Sequence, residues 1–199
     1  MHKRVVLIFV LILSLLTPSV SLAAENDVYL NRVDNYFNGD VTAYAGPGTV
    51  TWFDYEIMDV ASKKKLQESD IGMHTFSPDF AQRSSIYKVR ARIQGTDKWT
   101  KWKWAIPSPF LNIIEEDDIT KDSVSLSWEA VRGATSYDII VSYKGGDHGY
   151  KVVANTTDTS YKLDIDCTKM FWVSIRPKCG KHASKMKGCT VYRSVKYSR

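Results

Sequence analysis

Residues Ser123 to Tyr143 read SVSLSWEAVRGATSYDIIVSY, and this stretch decides the fold. Val124, Leu126 and Trp128 alternate with Ser123, Ser125 and Ser127. Alternation at period two marks a strand with one buried face and one wet face. Tyr137, Ile139, Val141 and Tyr143 alternate in the same way with Asp138, Ile140 and Ser142, which predicts a second strand. Val131-Arg132-Gly133-Ala134 is a short turn between them.

Working outward, the pattern recurs. Tyr55-Glu56-Ile57-Met58 is echoed by Tyr137-Asp138-Ile139-Ile140, displaced by 82 positions. Tyr87-Lys88-Val89-Arg90-Ala91 is echoed by Phe171-Trp172-Val173-Ser174-Ile175, displaced by 84. Two such matches indicate an internal repeat. In the strand Tyr87 to Ile93, the residues Tyr87, Val89, Ala91 and Ile93 face inward, while Lys88, Arg90 and Arg92 face outward. Further short strands are expected at Val28 to Leu30, Val41 to Tyr44, Val50 to Val60, Met73 to Phe76 and Trp99 to Ile106. The second half adds Tyr150 to Ala154, Ser160 to Ile165 and Thr190 to Tyr197. Ser62 to Lys65 reads as a charged turn, and Glu115 to Asp118 as an acidic run near the start of the second unit.

A Trp closing one strand, a small-residue turn and a Tyr opening the next resembles the B and C strands of a fibronectin type III domain. The fold this implies is all-β: two tandem immunoglobulin-like (fibronectin type III-like) β-sandwiches after a signal peptide. Residues 25–106 and 110–199 are the expected domains, with Pro107-Ser108-Pro109 as a stiff linker. The Tyr that this fold often carries near the start of strand F corresponds to Tyr87, and Phe171 stands there in the second domain. Such sandwiches are scaffolds for many unrelated tasks, so the resemblance by itself implies no particular function.

Composition agrees with this picture. Hydrophobic residues are 44% of 199, enough to build cores, and aromatics at 12% favour strands. Residues 1–23 read as a secretory signal peptide: Lys3 and Arg4 precede an apolar run from Val5 to Leu16, and Ser21-Leu22-Ala23 supplies small residues for cleavage. That run is shorter than the ~20 residues a membrane span needs. No Cys follows it to carry a lipid anchor, and no second long apolar run occurs. The expected product is secreted, extracellular and without a membrane span, and export removes nucleic acid as a partner.

The exported chain keeps Cys167, Cys179 and Cys189. On the type III frame, Cys179 ends strand F and Cys189 begins strand G, so a Cys179–Cys189 disulfide is expected across the hairpin mouth. Cys167 precedes strand F at the other end, roughly 20 Å away at about 3.3 Å per residue. Disulfides need Cα atoms within about 7 Å, so Cys167 is left as the unpaired thiol, expected to be buried. A zinc site at Cys179, His182 and Cys189 is the competing reading, but export favours oxidation and no fourth ligand is written. No metal and no cofactor are expected.

From Arg176 to Arg199 there are eight Lys or Arg and no Asp or Glu, the strongest local bias in the chain. Lys181, His182, Lys185 and Lys187 fall inside the expected disulfide-closed loop, which the resemblance places at the F–G position. These are the candidate binding residues, for an acidic partner such as an anionic glycan or an acidic protein face. A solvated basic edge that blunts the last strand is the competing reading.

Trp99, Trp102 and Trp104 form the second candidate. Strand alternation puts Trp102 and Trp104 on one face and Trp99 on the other. They read either as a sugar platform or as a structural ladder. The Trp-x-x-Trp spacing resembles the tryptophan–arginine ladder of cytokine-receptor type III domains, with Lys88, Arg90 and Arg92 as the cations. Thr100 and Lys103 stand where that pattern carries Ser. No Gly-rich phosphate loop and no His-Glu-x-x-His is present, and His74, His148 and His182 lie in separate segments, so catalysis is not expected. Asn155-Thr156-Thr157 is a glycosylation sequon in a eukaryotic host. The resulting expectation is a non-catalytic exported binding or adhesion module acting through the basic loop. The alternatives are a carbohydrate-binding accessory module using the Trp strand, or a purely structural surface protein.

Overall fold

The computed structural model describes residues 28–35, 41–47, 52–72, 75–76, 84–112, 114–144, 148–184 and 193–197. The first sandwich comprises β1 (Tyr29–Asn35), β2 (Val41–Gly46), β3 (Phe53–Asp59), β4 (Lys65–Gly72), β5 (Thr75–Phe76), β6 (Tyr87–Ile93) and β7 (Lys103–Ala105). One sheet has the order β1-β2-β5 and the other β4-β3-β6-β7. The second sandwich comprises β8 (Ser123–Ser127), β9 (Ser136–Ser142), β10 (Lys151–Thr156), β11 (Ser160–Asp164), β12 (Phe171–Cys179), β13 (His182–Ala183) and β14 (Arg193–Val195). Here β11-β8 is one sheet, and β10-β9-β12 the other, with β13 and β14 both paired to β12. Every ladder is antiparallel.

The two strands of the deciding stretch do not pair with each other. β8 pairs β11 and β9 pairs β12, so the turn at 131–134 carries the chain from one sheet to the other. Val124, Leu126 and Trp128 are buried while Ser125 and Ser127 are exposed, as the alternation requires. Trp128 packs edge-on against Tyr137 across the core at 5.4 Å between ring centroids. The Tyr137 hydroxyl also accepts a hydrogen bond from the buried Val131 N–H at 2.9 Å, which pins the crossover turn. Ile139, Val141, Phe171, Val173 and Ile175 complete this core. In the first sandwich Phe53, Tyr55, Ile57, Tyr87, Val89 and Ala91 face Leu30, Val33, Val41 and Ala43. Each such aliphatic or aromatic side chain contributes roughly 1.5–3 kcal/mol by burial, so these clusters dominate stability.

Three local readings change. The charged turn forms before Lys65, with the Asp59 N–H donating to the Lys64 carbonyl at 3.0 Å, but β4 follows it directly where no strand was expected: its sequence KLQESDIG has no apolar alternation. It forms because β3 supplies a backbone ladder, and an edge strand tolerates polar residues. β9 is buried on both faces, including Asp138, Ile140 and Ser142; at Asp138 the side chains of Asn155 from β10 and Arg176 from β12 cover the outer face. Glu116–Asp118 form a 3-10 turn that Glu115 and Asp118 cap reciprocally, so the acidic run is a local cap. Val50, Met73, His74 and residues 190–192, at the edges of expected strands, lie outside the described residues, as does the leader at 1–23.

The sandwiches meet at a defined junction. Ser85 and Arg132 form a parallel bridge. The Ile86 N–H donates to the Arg132 carbonyl at 3.0 Å, and the Arg132 N–H donates to the Ser84 carbonyl at 2.6 Å. The Arg132 guanidinium also pairs with Asp59 at 2.9 Å. Ile86 and Ile106 pack into the second core. Pro107, Ser108 and Pro109 are buried.

Replacing Tyr137 by Phe tests the crossover turn. The Val131 N–H would stay buried without its acceptor, and urea unfolding is expected to show a loss of about 1–3 kcal/mol with an unchanged denaturant slope.

Candidate functional site

Each sandwich carries a buried carboxylate on an inner strand, paired across the ladder with an arginine. Glu56 of β3 sits opposite Arg90 of β6, and Asp138 of β9 sits opposite Arg176 of β12. Glu56 is 2% exposed and Asp138 3% exposed. Arg90 donates through Nε at 2.9 Å and Nη2 at 2.6 Å to one oxygen of Glu56, and Lys65 of β4 reaches the other at 3.1 Å. Arg176 donates through Nε at 3.0 Å and Nη2 at 2.6 Å to one oxygen of Asp138, and Asn155 of β10 donates to the other at 2.7 Å. Lys178 stands 3.7 Å from that second oxygen. The arrangement is the same twice: acid on the inner strand, arginine on one neighbour, a third donor on the other.

Burial pushes the Asp138 carboxyl up. The hydrogen bonds from Arg176 and Asn155 and the charges of Arg176 and Lys178 outweigh it, so the group lies below the usual carboxylate range. Asn155, the sequon residue, therefore spends its side-chain amide on Asp138. Burial likewise pushes the Tyr55 phenol up to about 12, partly offset by its hydrogen bond with the Ala45 backbone across the sandwich.

Over the Glu56–Arg90 pair lies the tryptophan ladder. Lys88 sits over Trp104 at 4.2 Å, Arg90 over both Trp99 and Trp102 at 4.6 Å, and Arg92 over Trp99 at 4.6 Å. Arg92 is also held by Asp54 at 2.8 Å. All three indoles thus lie on the cation side of the sheet, which corrects the expected placement of Trp99 on the opposite face. The reason is local. Only Lys103–Ala105 is regular strand. At Thr100 the backbone N–H donates to the Ala91 carbonyl while its hydroxyl accepts from the Ala91 N–H, so strict alternation stops before Trp99.

The ladder continues into the second sandwich. His182 of β13 stacks on Trp104 with ring centroids 4.2 Å apart and planes inclined by 21°. The hairpin from β12 turns at Gly180-Lys181, with Gly180 at φ +56°, a left-handed value that favours glycine. Cys179 then pairs across with His182, so strand G begins earlier than the long open loop read from the sequence. Lys181 and His182 are described; Lys185, Lys187 and Cys189 lie outside the described residues, and so does the Cys179–Cys189 bond. Cys167 is fully buried at the opposite end of β12 and donates to the Ile165 carbonyl at 3.3 Å. Burial, then the charges of Asp166 and Asp122, raise its thiol above the ordinary range.

Between the two candidates lies a cleft of about 430 Å³, lined by β1, the Trp102–Ile106 segment and the hairpin residues Lys181 to Ser184. Residue order does not reveal it, because its walls, at 33–34, 102–106 and 181–184, lie about 70 positions or more apart in the chain. The second sandwich repeats the larger sheet of the first, β10-β9-β12-β13 matching β4-β3-β6-β7, and sets β11-β8 against it where the first has β1-β2-β5. Both sandwiches are fibronectin type III-like. No protein-family model matches the sequence. No curated protein matches it. Among solved structures the chain is similar to a two-domain fibronectin type III segment of chicken tenascin, at 17% identity, 86% of this chain, 98% of that one and a TM-score of 0.40. It is also similar to the FN1–FN3 domains of chicken CNTN1, at 12% identity, 86% of this chain, 66% of that one and a TM-score of 0.33.

The Arg90 pair can be dissected. Arg90→Ala is expected to cost about 3 kcal/mol, the scale of a buried carboxylate losing its partner. Arg90→Lys keeps the charge but loses the planar fork and is expected to cost about 1–2 kcal/mol in urea unfolding. Asp138 sets an acid limit. Its folded value is depressed, so its contribution is complete above the unfolded carboxylate value of about 3.9 and is lost as pH falls through the folded value. Stability measured against pH should fall below about pH 4, and Asp138→Asn should start lower and fall less steeply.

Proposed function

We propose that this chain is an exported, non-catalytic binding protein whose two modules, residues 25–106 and 110–199, present a basic surface on the second module to an acidic extracellular partner. The observation that carries this is the distribution of charge along the outer edge of β12. Arg176 and Lys178 are turned inward to Asp138. Lys181 at the hairpin tip and Arg193 and Lys196 at the β14 end are exposed, and among the described residues none of the three has an ion-pair partner. The segment has no acidic residue to neutralise them. The hairpin is held by the His182–Trp104 stack, and a pre-ordered loop loses less entropy on binding. A Cys179–Cys189 staple belongs to the same proposal and rests on the type III strand frame read from the sequence.

The geometry supports a structural role for the tryptophans. Trp99 and Trp104 each contact two neighbouring groups and Trp102 one, so an indole platform for stacked sugars is not favoured. The non-catalytic reading is supported by four buried carboxylates among the described residues, Asp54, Glu56, Asp59 and Asp138, each paired with an arginine. Export is supported by the leader-like residues 1–23, and no helix among the described residues is long and apolar enough to cross a membrane.

The test is retention on acidic and neutral polysaccharides and on envelope fractions at low and high salt. Retention on the acidic matrix should drop steeply with salt. Reversing Lys181, Lys185 and Lys187 to Glu should weaken it roughly tenfold or more, the sum of several surface charge contacts. Unchanged retention in the reversed variant would remove the basic surface from the reading.

A further inference from the structure

We propose that the cleft between the two sandwiches is a binding site for a short acidic saccharide, one or two rings carrying a carboxylate; this rests on the acidic-partner reading and gives it a site and a ligand class. The volume, about 430 Å³, is in the range of small-molecule sites, about 300–1,000 Å³. The two sandwiches build it together: Asp34 comes from β1, Trp102 and Trp104 from the ladder segment, and Lys181, His182 and Ser184 from the second module's hairpin.

The chemistry of the walls selects the ligand. Lys181 and Lys103 bring positive charge to the rim. That favours an anion. Asp34 is 5% exposed and brings a buried carboxylate to the same cleft. A polyphosphate, all acceptors, would be repelled by it, whereas a sugar hydroxyl can donate to it. Ser184 is 7% exposed, and its buried hydroxyl has no hydrogen-bond partner among the described residues. A buried hydroxyl left unpaired is costly, so a ligand that donates to it or accepts from it gains by doing so. Val33, Ile106 and the indoles supply apolar wall for the C–H face of a sugar ring. Trp104 offers its edge there, since Lys88 and His182 both lie against its ring. One carboxylate, several hydroxyls and a C–H face are the features of a uronic acid. An acidic peptide supplies the carboxylate without the hydroxyls.

The experiment titrates the secreted form of the chain with digalacturonic acid, with neutral galactobiose and with a pentaglutamate peptide, following tryptophan fluorescence and the indole N–H resonances of Trp102 and Trp104. Digalacturonic acid should bind saturably and shift both resonances; galactobiose and pentaglutamate should bind at least about tenfold more weakly. Lys181→Glu should weaken digalacturonic acid about tenfold or more, and Ser184→Ala several-fold, with thermal unfolding of both unchanged. Absence of saturable binding by the parent, equal binding of the peptide, or parent-like affinity in Lys181→Glu and Ser184→Ala would each overturn the site. A chain retained by acidic polymer in a salt-dependent way yet blind to the disaccharide would lose this site and keep the basic surface.

Discussion

A buried carboxylate held by an arginine on the neighbouring strand is the constraint on which the rest of this structure depends. Glu56 and Asp138 lie nearly inaccessible to water. An unpaired carboxylate in such a place would cost several kcal/mol, so each must face its arginine. The pairing fixes the register of β3 on β6 and of β9 on β12, Glu56 against Arg90 and Asp138 against Arg176. It also aims the Arg90 guanidinium, which then serves as the central rung between Trp99 and Trp102. The ladder adds roughly 0.5–1 kcal/mol per exposed contact, less than a single core side chain contributes. Its larger effect is positional: it lays the irregular segment 98–102 on the sheet, while the ladder with β6 sets Trp104 at the edge where the second sandwich arrives.

From that edge the junction follows. Two backbone hydrogen bonds join residues 84–86 to Arg132, and Gly133 adopts φ +88° beside Ala61 and Ile86. A residue with a Cβ would be strained at that φ, so glycine suits a turn that must pass close to the first sandwich. The His182–Trp104 stack closes the other side. The basic hairpin and the tryptophan segment, which read as two separate candidates, thereby become neighbouring walls of one cleft. Positive charge on a fixed hairpin above a polar, partly aromatic floor is a chemistry that neither candidate has alone.

Much of the fold was legible in residue order. The alternation around Trp128 and Tyr137 specified strands, and β6 keeps its inward Tyr87, Val89 and Ala91 and outward Lys88, Arg90 and Arg92. The cations and tryptophans that meet in the ladder were identifiable from the resemblance of Trp-x-x-Trp to a tryptophan–arginine ladder. β4 was not, because its polar sequence forms a strand only when β3 offers a ladder. The repeat was read with Phe171 matched to Tyr87. The ladders show instead that Tyr87 opposes Asp59 while Val173 opposes Val141, the residue equivalent to Asp59, so Val173 is the counterpart of Tyr87. A slip of two positions preserves which residues face inward, so hydrophobic pattern cannot detect it. Only the cross-strand carboxylate–arginine pair does.

Sequence alone determined that the chain is β, that it is built twice, which strand faces are apolar, and that its C-terminal segment is basic. These are properties of neighbours along the chain, where period two and local charge are written directly. Tertiary structure decided the register of the repeat, the shared face of the three tryptophans and the cleft that joins Asp34, Trp102 and Ser184. Each of these depends on residues far apart in the chain, brought together by strand pairing and by a junction whose hydrogen bonds come from backbone atoms that no side-chain pattern encodes.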